Sequence, residues 1–148
     1  MSETSIQVTL TQQHDYRFDI AFGGDVPMVT TDEPAPLGSG LGPSPVQLLT
    51  AAVGNCLSDS LLFALRKFKQ APEPMRCEVT SDVGRNAEGR LRVVAMKAVL
   101  TLGVPAASLA HLDRVLDQFE AYCTVTQSVG QGIPITIEVF DVTGQKLK

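Results

Sequence analysis

Pro43-Ser-Pro-Val-Gln-Leu-Leu-Thr-Ala-Ala-Val-Gly-Asn-Cys-Leu-Ser-Asp-Ser-Leu-Leu-Phe-Ala-Leu-Arg-Lys-Phe68 is the stretch on which the fold turns. Ser44 carries the hydroxyl of an N-cap, and Pro45 fits a first helical turn, where a missing N–H costs nothing. A helix is therefore predicted from there to about Lys69. Between Pro45 and Leu65 the only charge is Asp59. Leu48, Leu49, Ala52, Val53, Cys56, Leu57, Leu61, Ala64, Leu65 and Phe68 spread over more than one helical face, the pattern of a core helix covered on nearly all sides. Its length would be roughly 35 Å, the width of a small domain. A membrane span is the rival reading, but Gln47, Thr50, Asn55, Ser58, Asp59 and Ser60 interrupt the apolar run too often for hydrocarbon. Gly54 inside a helix costs about 1 kcal/mol relative to Ala, which predicts a close approach by another backbone. Cys56 beside it is read from this helix alone as a small core hydrophobe.

The 148 residues fit one domain, 1–148, and 44% hydrophobic with 19% charged residues is the composition of a soluble globule. A net charge of −4 with scattered Lys and Arg argues against general affinity for nucleic acid or an anionic membrane. Met1-Ser-Glu-Thr-Ser-Ile-Gln7 lacks the basic head and apolar core of a secretory signal, so a cytoplasmic location is expected. Three cysteines do not make a disulfide framework. With only His14 and His111 and no C-x-x-C pair, neither a metal site nor a cofactor is expected.

Ile6–Thr11 and Tyr16–Phe22 alternate apolar and polar residues, and Pro27–Thr31 begins a third extended run. Together they predict an antiparallel meander with a turn at Gly23-Gly24-Asp25. Asp32–Pro43, rich in Pro and Gly, reads as a loop leading into the long helix. After the breaker Ala71-Pro-Glu-Pro74, Met75–Val83 and Leu91–Leu102 predict a hairpin with its turn at Asn86-Ala-Glu-Gly89. Pro105 and Ser108 open an amphipathic helix in which Leu109, Leu112, Leu116 and Phe119 form the apolar stripe. A break and a short helical turn follow across Ala121–Gly132, and Ile133–Val142 is the last strand.

Cys123 lies where the short helical turn would point backbone N–H groups at its sulfur, a setting that favours thiolate. Thr126 and Ser128 are its polar neighbours, and packing and reactivity remain open for it. Cys77, on a predicted strand between Arg76 and Glu78, is read as structural.

The chain resembles the osmotically induced and organic-hydroperoxide-resistance family, OsmC/Ohr. Pro45, Leu48, Leu49, Ala51 and Cys56 match its Pro-x-x-Leu-Leu-x-Ala-x-x-x-x-Cys helix, and Cys123 with Val125 matches its Cys-x-Val turn after an amphipathic helix. The order meander, loop, long helix, hairpin, helix, short helix, strand fits over nearly the whole chain. The resemblance implies an α+β fold with antiparallel sheets around a long buried central helix. It also implies an intertwined homodimer whose subunits together enclose each site. It implies reduction of organic hydroperoxides, with Cys56 as peroxidatic thiol and Cys123 as resolving thiol, the disulfide being reopened by a lipoyl or thioredoxin-like dithiol. A thiolate that attacks an O–O bond becomes a sulfenic acid, and a second thiol protects it by condensing with it.

Two features depart from the hydroperoxidase branch. Val46 and Gln47 stand where a Glu follows the helix-opening Pro, and Gly23-Gly24-Asp25 holds no Arg. Arg17 is the nearest early arginine, so Arg17 and Gln47 are the candidate accessory residues. Without a neighbouring cation, burial would raise the Cys56 pKa, and Asp59 one turn later would oppose thiolate formation. The alternative function is a non-catalytic OsmC-like dimer that binds a small molecule or senses redox state.

Overall fold

A computed structural model describes residues 3–148. The elements run β1 (Thr9–His14), β2 (Arg17–Ala21), β3 (Val29–Thr31), α1 (Pro45–Lys67), β4 (Arg76–Arg85) and β5 (Leu91–Thr101). A 3-10 turn at Ala106–Ser108, α2 (Leu112–Gln118), a second 3-10 turn at Phe119–Tyr122, α3 (Thr124–Val129) and β6 (Ile135–Phe140) complete the chain. This is the α+β fold expected from the sequence. The chain divides into two compact units that meet in sequence at Leu48/Leu49, within α1.

In the first unit β1, β2 and β3 form the predicted antiparallel meander in that order. Gly23 and Gly24, both with positive φ, make the turn after β2. The first strand begins at Thr9 rather than Ile6. Thr9 pairs with Ala21, the last residue of β2, so Ile6 and Val8 have no partner strand beside them. Asp32 organises the following loop: its carboxylate accepts the N–H groups of Glu33, Ser39 and Leu41 at 2.8–3.2 Å. Ser44 and Gln47 then start α1 as a capping box. Ser44 Oγ accepts the Gln47 N–H at 3.3 Å while Gln47 Oε1 accepts the Ser44 N–H at 2.9 Å.

In the second unit β5 is the central strand of three. The β4–β5 hairpin turns at Asn86–Gly89, as predicted, with Gly89 in a positive-φ conformation and Asn86 Oδ1 accepting the N–H groups of Glu88 and Arg90. β6 runs parallel to β5, so this sheet is not purely antiparallel. The physical reason is the helical segment between them: a chain that leaves β5 and crosses back through α2 and α3 re-enters the sheet in the same direction. That segment is also broken where one amphipathic helix was expected. His111 has φ 59°, which interrupts the helical path between the 3-10 turn at Ala106–Ser108 and α2.

The core of this unit joins one stripe of α1, Val53, Leu57, Leu61 and Leu65, to Met96, Ala98, Leu100 and Leu102 of the β5 segment, Val139 of β6, and Val115 and Phe119. The stripe repeats every four residues, the spacing of one helix face. Within the second unit this stripe is the buried face of α1. Ala51, Ala52, Asn55, Asp59 and Phe63 are exposed within the single chain. Among the described residues α1 is the one helix long and apolar enough to cross a membrane, and here its most apolar stripe is protein core. α1 ends at Lys67, two residues early, because Lys69 turns to φ 59° and the Gln70 N–H closes back on the Leu65 carbonyl at 3.0 Å.

Gly54 is tight for a reason other than backbone approach. A Cβ there would lie 2.7 Å from Cγ2 of Val79 on β4 and 3.5 Å from the Cys77 sulfur. Val79 is β-branched and stiff, so it cannot swing clear. Gly54→Ala gains about 1 kcal/mol of helix propensity but meets an overpacking cost of about 1–3 kcal/mol. The net expectation is a lowered urea midpoint with unchanged slope, checked by equilibrium unfolding.

Candidate functional site

Cys56 sits on α1, between the buried positions Val53 and Leu57 of the core stripe and the exposed Asn55, and is half-buried. Cys123 ends the second 3-10 turn and precedes α3; it is fully buried. Its own N–H donates to the Glu120 carbonyl at 3.1 Å, and its carbonyl accepts the Gln127 N–H at 2.9 Å, so both flanking turns hold its backbone. The Cys123 thiol lies 3.0 Å from the Thr126 hydroxyl and donates to it.

The two cysteines come together: the Cys123 thiol and the backbone N–H of Val125, in the first turn of α3, both lie near enough to the Cys56 sulfur to act on its ionisation. The first N–H groups of a helix lack intrahelical acceptors, which frees Val125 for this contact. Burial pushes the Cys56 thiol pKa up. The Val125 N–H opposes the shift, while the neighbouring Cys123 and the Asp59 carboxylate add to it, leaving the thiol above its ordinary value. Asp59 accepts from Asn55 Nδ2 at 3.0 Å, along the exposed side of α1. Access differs between the two sulfurs: Cys56 is the one with surface open to solvent.

Cys77 faces α1 from β4, near Gly54 and beside Ser58; burial raises its pKa, Ser58 opposes the shift, and Glu78 adds a smaller push upward. Ser58 also donates to the Gly54 carbonyl at 2.7 Å. The Cys77–Ser58 pairing was not legible in the sequence, because it joins a strand and a helix through two residues that look unremarkable separately.

The two accessory candidates are both engaged. Gln47 spends its carbonyl oxygen on the helix cap described above. Arg17 faces Asp32, Nε to Oδ2 at 3.9 Å, with Asp32 buried. Burial would raise the Asp32 pKa, but the N–H groups of Leu41, Ser39 and Glu33 and the Arg17 charge outweigh it, so the carboxyl is held below its ordinary value. Asp32 was read only as the start of a loop. An aspartate heading a run of Pro and Gly, whose backbone N–H groups need acceptors, was the available signal.

The Cys123 turn is tied down from the far side. Lys148 Nζ donates to the Leu116 carbonyl at 2.8 Å, pairs with Glu120, and stands 5.4 Å from the centroid of the buried Phe119 ring. Asp141, at the end of β6, accepts the Thr143 hydroxyl and the N–H groups of Ala106, Thr143 and Gln145, which holds its pKa at about 2. These contacts brace both ends of the crossover that delivers Cys123.

An α+β chain with two three-stranded sheets, a long helix and two neighbouring cysteines, one on that helix and one before a short helix, defines a recognisable class. The model of the OsmC-like protein family matches residues 38–138, and the chain belongs to that family. Its fold is that of an OsmC-like protein from Mycoplasma pneumoniae, with TM-score 0.77, 14% identity, and 95% of this chain and 99% of that one covered. An organic hydroperoxide resistance protein OsmC from Legionella pneumophila gives TM-score 0.72 at 10% identity, covering 96% of this chain and 100% of that one. The organic hydroperoxide resistance protein OhrB of Bacillus subtilis gives 0.70 at 13%, covering 93% and 99%. These likenesses are of fold. No curated protein matches the chain in sequence.

Proposed function

We propose that the chain is a thiol-dependent reductase of organic hydroperoxides, with Cys56 as the attacking thiol and Cys123 as the resolving one. The observation that carries this reading is the closeness of two thiols far apart in sequence, with a backbone N–H beside Cys56. The Cys56 thiolate attacks the terminal peroxide oxygen and the O–O bond breaks. The alkoxide takes a proton and leaves as an alcohol, and Cys56 becomes a sulfenic acid. The Cys123 sulfur then attacks that sulfur, hydroxide leaves as water, and a disulfide forms. A lipoyl or thioredoxin-like dithiol returns both thiols and is itself oxidised. A reducing cytoplasm suits this cycle. A homodimer belongs to the same reading, supported by the exposed apolar side chains Val26, Met28, Leu37 and Leu41 in the first unit.

Only the thiolate attacks, and the thiolate fraction rises with pH until the pKa is passed. Because the Cys56 pKa is raised, oxidation by one equivalent of organic hydroperoxide is expected to accelerate about tenfold per pH unit through neutrality and to level off only above the ordinary cysteine range. Stopped-flow rates across pH, with peptide mapping for a Cys56–Cys123 disulfide, test it. A pH-independent rate or an unlinked Cys123 would count against the reading. The raised pKa also favours a second reading, a slow redox sensor. A sensor forms the same disulfide but does not turn over with excess dithiol and hydroperoxide.

A further inference from the structure

A groove of about 510 Å³, open mouth included, lies between the last turns of α1 and the α2 segment. Ser60, Phe63 and Lys67 fall on one face of α1 and line one wall. Phe68 and Tyr122 supply aromatic surface over the buried Phe119 ring, and Phe63 and Tyr122 remain 65% and 71% exposed. The charged lining residues are Lys67 and Arg114, and no carboxylate lines the groove. Among the described residues neither cation has an ion-pair partner, whereas the adjacent Arg66 is paired with Glu73. Arg114 is held over the Phe68 ring at 5.9 Å from its centroid, and His111 stacks on the same ring at 4.6 Å. The guanidinium is thereby placed without its N–H donors being consumed. The Leu65 and Arg66 carbonyls near the end of α1 are already taken by the N–H groups of Phe68, Lys69 and Gln70.

We infer that this groove binds a long-chain monocarboxylate, its tail on the aromatic floor and its carboxylate between Lys67 and Arg114. Charge complementarity sets the sign of the head group, and the Arg fork fits a carboxylate through two parallel N–H donors. The tail is aliphatic rather than peptide because the uncharged polar lining is only Ser60, Gln118 and the Tyr122 hydroxyl, too little to satisfy a buried peptide backbone. Neither cysteine takes part, so binding goes beyond the peroxide chemistry and survives its loss.

Calorimetric titration of the full chain with dodecanoate, dodecanol and dodecyltrimethylammonium, each below its micelle concentration, tests the assignment. Saturable binding of dodecanoate in preference to both others is expected, and equally in a Cys56→Ser, Cys123→Ser protein. The Lys67→Ala, Arg114→Ala variant should lose about tenfold or more in dodecanoate affinity and leave dodecanol unchanged, with an unaltered circular dichroism spectrum. Both changes are at exposed positions. Equal binding of acid and alcohol, or a double variant that keeps the preference for the acid, would overturn the inference. So would absent binding together with a dimer that Phe63→Ser or Tyr122→Ser splits, which would make the groove a contact between copies of this chain.

Discussion

Cys56→Ser is expected to abolish hydroperoxide-dependent turnover, because neither other cysteine has both solvent access and the Val125 N–H beside it. Cys123→Ser should leave the first attack intact: one oxidising equivalent is consumed, and Cys56 stays a sulfenic acid that excess peroxide drives to the sulfinic state. The asymmetry follows from the roles. The attacking sulfur has to ionise beside the peroxide, whereas the second has only to reach an electrophilic sulfur already formed next to it. Cys77→Ser should change neither step, since its sulfur lies against Gly54 on α1 and not beside the Cys56–Cys123 pair. Stopped-flow oxidation and intact-mass spectra of the three variants distinguish these outcomes. Equal oxidation of the wild type and Cys56→Ser would move the function to the non-catalytic reading.

Phe119→Ala should produce the largest loss of stability among single core changes, about 3–5 kcal/mol, from lost burial and the cavity left behind. Phe119 is fully buried, and its ring also carries the Lys148 ammonium, which would lose that surface. Stabilities of small domains total about 5–15 kcal/mol, so this is a substantial share. The same substitution loosens the turn that places Cys123 four residues later. Urea unfolding should therefore show a much lower midpoint, and the yield of Cys56–Cys123 disulfide should fall at peroxide levels that still oxidise Cys56. A midpoint within about 1 kcal/mol of wild type would show that the ring is not a keystone of this core.

The sequence made the elements legible wherever periodicity was strong. Ser44 with Pro45 marked the start of α1, Asn86–Gly89 marked the hairpin turn, and Ile133–Val142 contained β6. It also placed Cys123 before a short helix. The apolar run of α1 marked it as the core helix, but composition reports how much surface can be covered and not how much one chain covers. The direction of β6 was hidden because strand polarity is set by the path of the intervening helices, which hydrophobic alternation does not record. Side-chain partners across elements were hidden for the same reason. Asp32 with Arg17 and Ser58 with Cys77 join segments whose local patterns carry no mark of each other. Gln47 was singled out as a substitution near the site, and its spacing from Ser44 was already that of a capping box.

The parallel return of β6 onto β5 governs how the second sheet can be assembled. The β4–β5 hairpin is local and closes through a tight turn, on the microsecond scale of such events. The pairing of Met96 with Ile135 through Thr101 with Phe140 is non-local and must wait until the whole crossover has been drawn in, with its loop-closure entropy spent before any β5–β6 hydrogen bond forms. Val139 closes the core from β6, so the side of β5 that receives it stays open until that docking is complete. During that interval an uncovered strand edge and the apolar side chains behind it are presented to other chains, which makes the crossover the segment whose speed of folding separates productive assembly from aggregation.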